Sequence, residues 1–239
     1  MKFLVIKHAV VEGLGVFEEF CRAAGIAIAP IELEKGDTFP ELDDYAALWV
    51  MGGTMNVADE AEFPWLAEEK ALIRRAVVDL RLPFMGICLG AQLLADALGG
   101  TVQPMATPEV GLLPVTLTKA GLRHPIATDL PQTFQGFQWH GQAVTDLPSA
   151  ATLLATSADC PVQAFAVGDC AFGLQFHLEM NPATLANWLQ IPANRADLET
   201  HLGATGCEDL QEAVDRHQLT MHREAKAVFD NFLQIVKSQ

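Results

Sequence analysis

Basic residues are scarce in this chain: 15 lysines and arginines stand against 30 aspartates and glutamates, for a formal net charge of -15 over 239 residues. That imbalance argues against binding nucleic acid or an anionic membrane through a general electrostatic footprint. Cysteine is sparse too. The five (Cys21, Cys88, Cys160, Cys170, Cys207) are odd in number and show no C-x-x-C spacing. A disulfide framework or a zinc site is therefore not expected, and a reducing, cytoplasmic setting fits. Long apolar runs are missing as well. The opening Met1 to His8 is too short a stretch for a signal peptide, and nothing approaches a membrane span. With no internal repeat, low-complexity tract or linker, the chain reads as one large domain or one domain with an appendage. Half of its residues (50%) are apolar, enough for a full core.

What is present centres on Pro83-Phe84-Met85-Gly86-Ile87-Cys88-Leu89-Gly90-Ala91-Gln92-Leu93-Leu94. The run Leu82 to Ile87 reads as a buried strand, and a helical pattern through Leu93, Leu94, Ala97 and Leu98 starts directly after it and stops at Gly99-Gly100. Cys88 falls between the two with glycine at minus and plus two, the arrangement of a nucleophile elbow with cysteine in place of serine. The helix that follows points its N-terminus at the sulfur, which favours thiolate over thiol. Taken alone, the pattern fits a buried cysteine at a glycine-rich strand end equally well.

A cysteine nucleophile needs a base, and the base an orienting partner. Gly173-Leu174-Gln175-Phe176-His177-Leu178-Glu179 supplies both types. His177 and Glu179 are two apart in what reads as a short strand, so they project from one face. A third feature is Gly52-Gly53 at the end of the strand Ala46 to Met51. An oxyanion needs preorganised N–H donors, and a Gly-Gly turn can present them; it can equally be an ordinary strand-to-loop turn.

The remainder is read more coarsely. Strands are expected at Phe3 to Lys7 and Ile26 to Leu33, with helices from Val16 to Ala24 and Pro64 to Leu80. Strand, helix and strand around the elbow form a βαβ unit, so a parallel sheet follows, with its ligand at the strands' C-terminal ends. After Gly100 short apolar runs (Leu112 to Leu117, Phe134 to Trp139, Ala151 to Ala155, Gln163 to Val167, Ala171 to Phe176) read as a largely antiparallel addition. From Pro182 onward the pattern is helical, with a break expected near residues 217–221 of the last segment; this region could pack on the domain or form a lid or partner surface. His201, His217 and His222 lack ligand spacing and are expected at the surface.

The Gly-Ile-Cys-Leu-Gly-Ala-Gln elbow together with the Gln-Phe-His-x-Glu segment resembles class I (triad-type) glutamine amidotransferases, in particular the stand-alone, GMP-synthase-like members. Leu178 stands where the family usually has proline, and Gln142 where related stand-alone proteins carry aspartate. The resemblance implies a flavodoxin-like α/β fold over residues 1–191, with residues 192–239 as a helical extension on the same domain. It implies Cys88, His177 and Glu179 as the catalytic set, and the amides of Gly53 and Leu89 as the oxyanion hole. Gly52, Gln92, Gln138, Trp139 and His140 become substrate-binding candidates. No metal or organic cofactor is implied. The activity implied is hydrolysis of the glutamine side-chain amide through a γ-glutamyl thioester, with ammonia released for a partner synthetase. Residues 192–239 are too few for a synthetase half. A free-standing γ-glutamyl conjugate hydrolase and a non-catalytic regulatory protein are the alternatives.

Overall fold

The structure is a computed structural model that describes residues 1–9 and 11–239. Strands β1 (Lys2–Lys7), β2 (Ala27–Glu32), β3 (Ala47–Val50) and β4 (Phe84–Ile87) alternate with helices α1 (Val16–Ala23), α2 (Trp65–Arg74) and, after β4, α3 (Leu89–Ala97). Then come β5 (Thr101–Leu117), β6 (Thr133–Asp146), β7 (Ala151–Thr156), β8 (Ala164–Val167) and β9 (Ala171–Leu174). Helices α4 (Pro182–Leu189), α5 (Pro192–Leu202) and α6 (Gly206–Lys237) follow. The nine strands form one sheet in the order β2-β1-β3-β4-β9-β8-β7-β5-β6. Its first five strands are parallel, and each later pairing is antiparallel. This is the expected α/β architecture: a mostly parallel centre with an antiparallel addition and a helical C-terminus.

Period-two alternation sorts the core into two layers. Phe3 and Val5 of β1 face a cluster built with α1 and α6, in which Phe17, Trp49, Phe229 and Phe232 meet largely edge-on. Leu4 and Ile6 face the opposite layer, under α2 and α3. A third apolar cluster joins Phe137 of β6 to Leu185, Trp188, Leu198 and Val214 of α4 to α6.

Four expectations need correction. The strand expected to begin at Leu112 begins at Thr101, despite three prolines within it. Among the described residues it pairs with β7 only through Thr116 and Leu117, which leaves its other stretch an edge where a missing N–H costs little, and its register shifts between Pro104 and Glu109. Segment Pro64 to Leu80 is α2 followed by a π-helical turn at Arg75–Asp79. Helix α6 runs unbroken through residues 217–221, because Met221 continues the buried stripe of Leu210 and Val214 while Leu219 turns to solvent at 83% exposure. And β9 ends at Leu174, so His177 and Glu179 lie beyond the strand, where His177 makes an isolated bridge to Phe137.

Candidate active site

The parallel strands send their C-terminal loops to one edge of the sheet. There β1 leads to residues 8–9 and 11–15, β3 to Gly52-Gly53, β4 to Cys88 and β9 to residues 175–179. In open α/β sheets this edge is where ligands bind.

Cys88 has φ 52 and ψ -108, a conformation a residue with a side chain adopts only when its surroundings impose it. The imposition is visible. A Cβ on Gly90 would lie 2.1 Å from the Val50 carbonyl oxygen, and one on Gly86 would lie 2.4 Å from the Gly90 oxygen. The Cys88 N–H donates to the Leu174 carbonyl at 2.8 Å, while its own carbonyl accepts from the N–H groups of Ala91 and Gln92. The elbow is therefore fastened to β9 on one side and to α3 on the other. Cys88 opens onto a cleft of about 550 Å³ that Gly53, Gln92, Trp139, His140 and His177 also border.

His177 is buried, with its N–H donating to the Phe137 carbonyl at 2.8 Å. Its Nδ1 lies 2.5 Å from Oε1 of Glu179, also buried. Burial alone would lower the imidazole pKa. The Glu179 charge, with hydrogen bonds to Cys88 and Glu179, outweighs it and raises His177 well above the ordinary histidine range. The rings of Phe137 and Trp188 meet the imidazole edge-on at centroid distances of 6.1 and 5.6 Å. On the neighbouring turn, a Cβ on Gly52 would sit 3.2 Å from His177 Cε1 and 3.7 Å from Cys88 Cβ, so only glycine leaves this space open.

The remaining candidates separate. Gln92 borders the cleft, but its amide N–H groups are committed, to Gln175 Oε1 at 3.0 Å and to the Gln142 carbonyl at 3.1 Å. Trp139 and His140 border it too. Gln138 does not face it: fully buried, it donates to Gln163 Oε1 at 2.9 Å, and its own Oε1 lies 3.1 Å from His140 Nε2. Glu109, His140 and Cys160 offer ligand atoms within 4.8 Å of one another. Those atoms already have partners: Cys160 Sγ lies 3.4 Å from the Val162 carbonyl oxygen, and the other two meet each other. Glu109 accepts from His140, Ser157 and Gln163 at 3.1, 2.5 and 2.6 Å, and burial pushes the Cys160 thiol up to about 12.

Several residues at or behind the cleft were assigned no role in the sequence reading. Gln175 Nε2 lies 3.6 Å from the Cys88 sulfur. Glu12, in the loop after β1, reaches the cleft beside His177; burial pushes its carboxyl up, partly opposed by the His177 charge. The rule that ligands gather at the C-terminal ends of parallel strands could have flagged Glu12. Helix α5 supplies Asn194, Asp197 and His201 to the outer rim, and Trp139 Nε1 donates to Asp197 Oδ2 at 2.7 Å. No motif signalled that wall, and His201, expected simply at the surface, borders the cleft from it.

Comparisons with known proteins bear on the family and the fold. Residues 16–190 match the class-I glutamine amidotransferase family. The glutamine amidotransferase-like protein YfeJ of Salmonella typhimurium is 31% identical over 194 residues, covering 80% of each chain. GMP synthases of Lacticaseibacillus rhamnosus and Thermomicrobium roseum are 36% and 41% identical over 105 and 104 residues, 44% of this chain but only 20% and 19% of theirs. The chain thus matches about a fifth of the length of those synthases. A crystal structure of a glutamine amidotransferase from Thermotoga maritima superposes with a TM-score of 0.88 at 29% identity, covering 99% of this chain and 98% of that one. One from Methylobacillus flagellatus gives 0.86 at 27%, covering 98% and 94%. Among the described residues no helix is long and apolar enough to cross a membrane. A strained cysteine elbow, a buried histidine–carboxylate pair and a sequence match across most of the chain converge, and the protein belongs to the class I glutamine amidotransferase family.

Proposed function

We propose that this protein hydrolyses the side-chain amide of glutamine, or of a related γ-glutamyl compound, with Cys88 as nucleophile. The observation that carries this is the alignment of three groups at one sheet edge: Cys88 in its forced elbow, His177 facing it, and Glu179 held 2.5 Å from the imidazole.

Cys88 Sγ bonds to the carboxamide carbon as its proton passes to His177. The N–H groups of Gly53 and of Leu89, the first residue of α3 and so without an intrahelical acceptor, stabilise the oxyanion. His177 returns the proton to nitrogen, the C–N bond breaks, and ammonia or an amine leaves a γ-glutamyl thioester. Water, losing a proton to His177, adds to that thioester. The C–S bond breaks and the glutamyl carboxylate departs. Glu179 keeps the imidazole in one orientation and stabilises its charged form. Gly52, by lacking a side chain, leaves room for the amide, and Gln92, Trp139 and His140 border the substrate. Gln138 acts from behind, through His140.

Ammonia can pass to a synthetase supplied by a separate chain, as the GMP synthase likeness suggests. A second reading, a free-standing γ-glutamyl conjugate hydrolase, is favoured by one feature. Its cleft of about 550 Å³ is bordered by Glu12 and Asp197 and, among the described residues, by no lysine or arginine. That lining suits a cationic amine as leaving group.

The test is incubation with a glutamine-derived chloroketone, read by intact mass, with Cys88→Ser as control. One adduct, blocked by excess glutamine and absent from the variant, is expected. A native protein that stays unlabelled at saturating reagent, alone and with a candidate synthetase, overturns the reading. Comparing turnover of glutamine with that of γ-glutamyl conjugates of neutral and cationic amines separates the two fates.

A further inference from the structure

His8 and Glu69 form a fully buried pair directly behind the Gly52-Gly53 turn and take no part in the mechanism above. His8 Nδ1 lies 2.8 Å from the Gly52 carbonyl oxygen, and Nε2 lies 3.1 Å from each carboxylate oxygen of Glu69 on α2. The ring stacks on Trp65 at a centroid distance of 5.6 Å. A carbonyl oxygen can only accept, so Nδ1 carries a hydrogen; Nε2, facing a carboxylate, carries one too. The charged groups facing the ring are Glu69 from α2 and Glu12 from the loop after β1. Burial would lower this imidazole, yet the Glu69 charge and the hydrogen bonds to Glu69 and Gly52 outweigh it and raise it.

The consequence follows from the planarity of the peptide unit. In a trans peptide the C=O and N–H point in opposite directions, so whatever holds the Gly52 carbonyl also aims the Gly53 N–H. That carbonyl is held on the His8 side, and the Gly53 N–H donates to no acceptor among the described residues. Gly53 borders the cleft, and a Cβ there would lie 2.8 Å both from His8 Cβ and from Leu89 Cδ2. Between those two side chains the turn has little room to rotate.

We propose that His8, charged by its pairing with Glu69, is a positioning residue that clamps the Gly52 carbonyl and so fixes the Gly53 N–H toward the oxyanion. This rests on the reading of Cys88 as a nucleophile toward an amide. The imidazolium also lies one peptide behind the developing negative charge, where a fixed positive charge favours it. Glu69 touches neither cleft nor substrate; it acts through His8.

The experiment compares two reagents on the native protein, His8→Phe, His8→Asn and Glu69→Gln, each first checked for native melting. A glutamine-derived chloroketone passes through an oxyanion on Cys88; iodoacetamide alkylates the same sulfur without one. In His8→Phe the chloroketone rate should fall about 10²- to 10³-fold, as when one oxyanion donor is removed, with iodoacetamide within about twofold. Asparagine, whose amide can replace Nδ1–H, should restore about tenfold or more, and Glu69→Gln should fall in between. The KM for glutamine should hold while kcat falls. An unchanged chloroketone rate in His8→Phe overturns the clamp, as does an equal loss with both reagents. Independently, nitrogen NMR on the ring should find both His8 nitrogens protonated above pH 6.5. A ring without a hydrogen on Nδ1 overturns the clamp whether or not the chloroketone reacts, whereas a native protein inert to chloroketone but alkylated by iodoacetamide, with His8 doubly protonated, overturns the amide-hydrolase reading alone.

Discussion

Glu224 of α6 is buried beside Met221 and Ala225, and its Oε2 has no hydrogen-bond partner among the described residues. Burial pushes its carboxyl from 4.5 up to about 7, only partly offset by the charges of Arg223 and His217. A carboxyl whose pKa is raised on folding is neutral in both states well below 4.5, so it costs nothing there. As pH rises the unfolded chain ionises first, the folded chain resists, and stability drains away until both are charged above about 7. Each tenfold in proton affinity is worth about 1.4 kcal/mol, so the ceiling on the loss is about 3 kcal/mol. Discounted for relaxation and water reaching the side chain, about 2 kcal/mol remains. Glu224→Gln removes the titration and keeps the shape. It should match the native protein at pH 4.5 and be more stable at pH 8, by about 4–8 °C in melting temperature for a chain of this size. The assay is paired thermal melting of both proteins across that range, because the difference between them cancels every other titrating group. A difference that does not change with pH would refute the reasoning, and a native protein that gains on the variant as pH rises would reverse its sign.

Two further outcomes follow from the site. Glu179→Gln removes the charge that holds His177 up, so the imidazole should fall toward or below the ordinary 6.5; chloroketone labelling should slow by about 10²-fold or more, and the pH midpoint of the rate should move down. An unshifted midpoint would deny Glu179 that role. Gly90→Ala forces a methyl to within 2.1 Å of the Val50 carbonyl and should cost about 1–3 kcal/mol in urea unfolding, with labelling of Cys88 slowed in the folded fraction. A variant of native stability would show that the elbow has slack.

How much of this was legible in the residues depends on how local each feature is. The elbow was, because the change from an unbroken apolar strand to a helical period occurs within a few residues and glycine marks each flank. The pairing of His177 with Glu179 was also legible, although the two project together from a bridged loop rather than from a strand. The His8–Glu69 pair was not. A glutamate on a helix is ordinarily a solvated charge, and nothing within α2 says that residue 69 points inward toward a histidine 61 positions earlier. Gln138 misled for a related reason: a polar residue between two aromatics in a strand faces either the cleft or the core, and only the position of Gln163 decides which. The wall provided by α5 carries no chemical signature in its own stretch of chain, since Asp197 matters only because Trp139 reaches it.

Trp188 Nε1 donates to the Val11 carbonyl at 3.1 Å, across 177 positions of chain. Trp139 meets Asp197 across 58 positions, and Gln175 approaches Cys88 across 87, so no short fragment holds the whole cleft. Such closures are slow, since the entropy of a long loop must be paid before any contact returns it. On the ribosome, a chain that has just emitted its elbow still lacks His177 and the far wall. It acquires them only when residues near 200 emerge. On the proposed function, the nucleophile's surroundings are therefore completed late in synthesis, and labelling of Cys88 by a glutamine analogue would serve as a timer for completion of the fold.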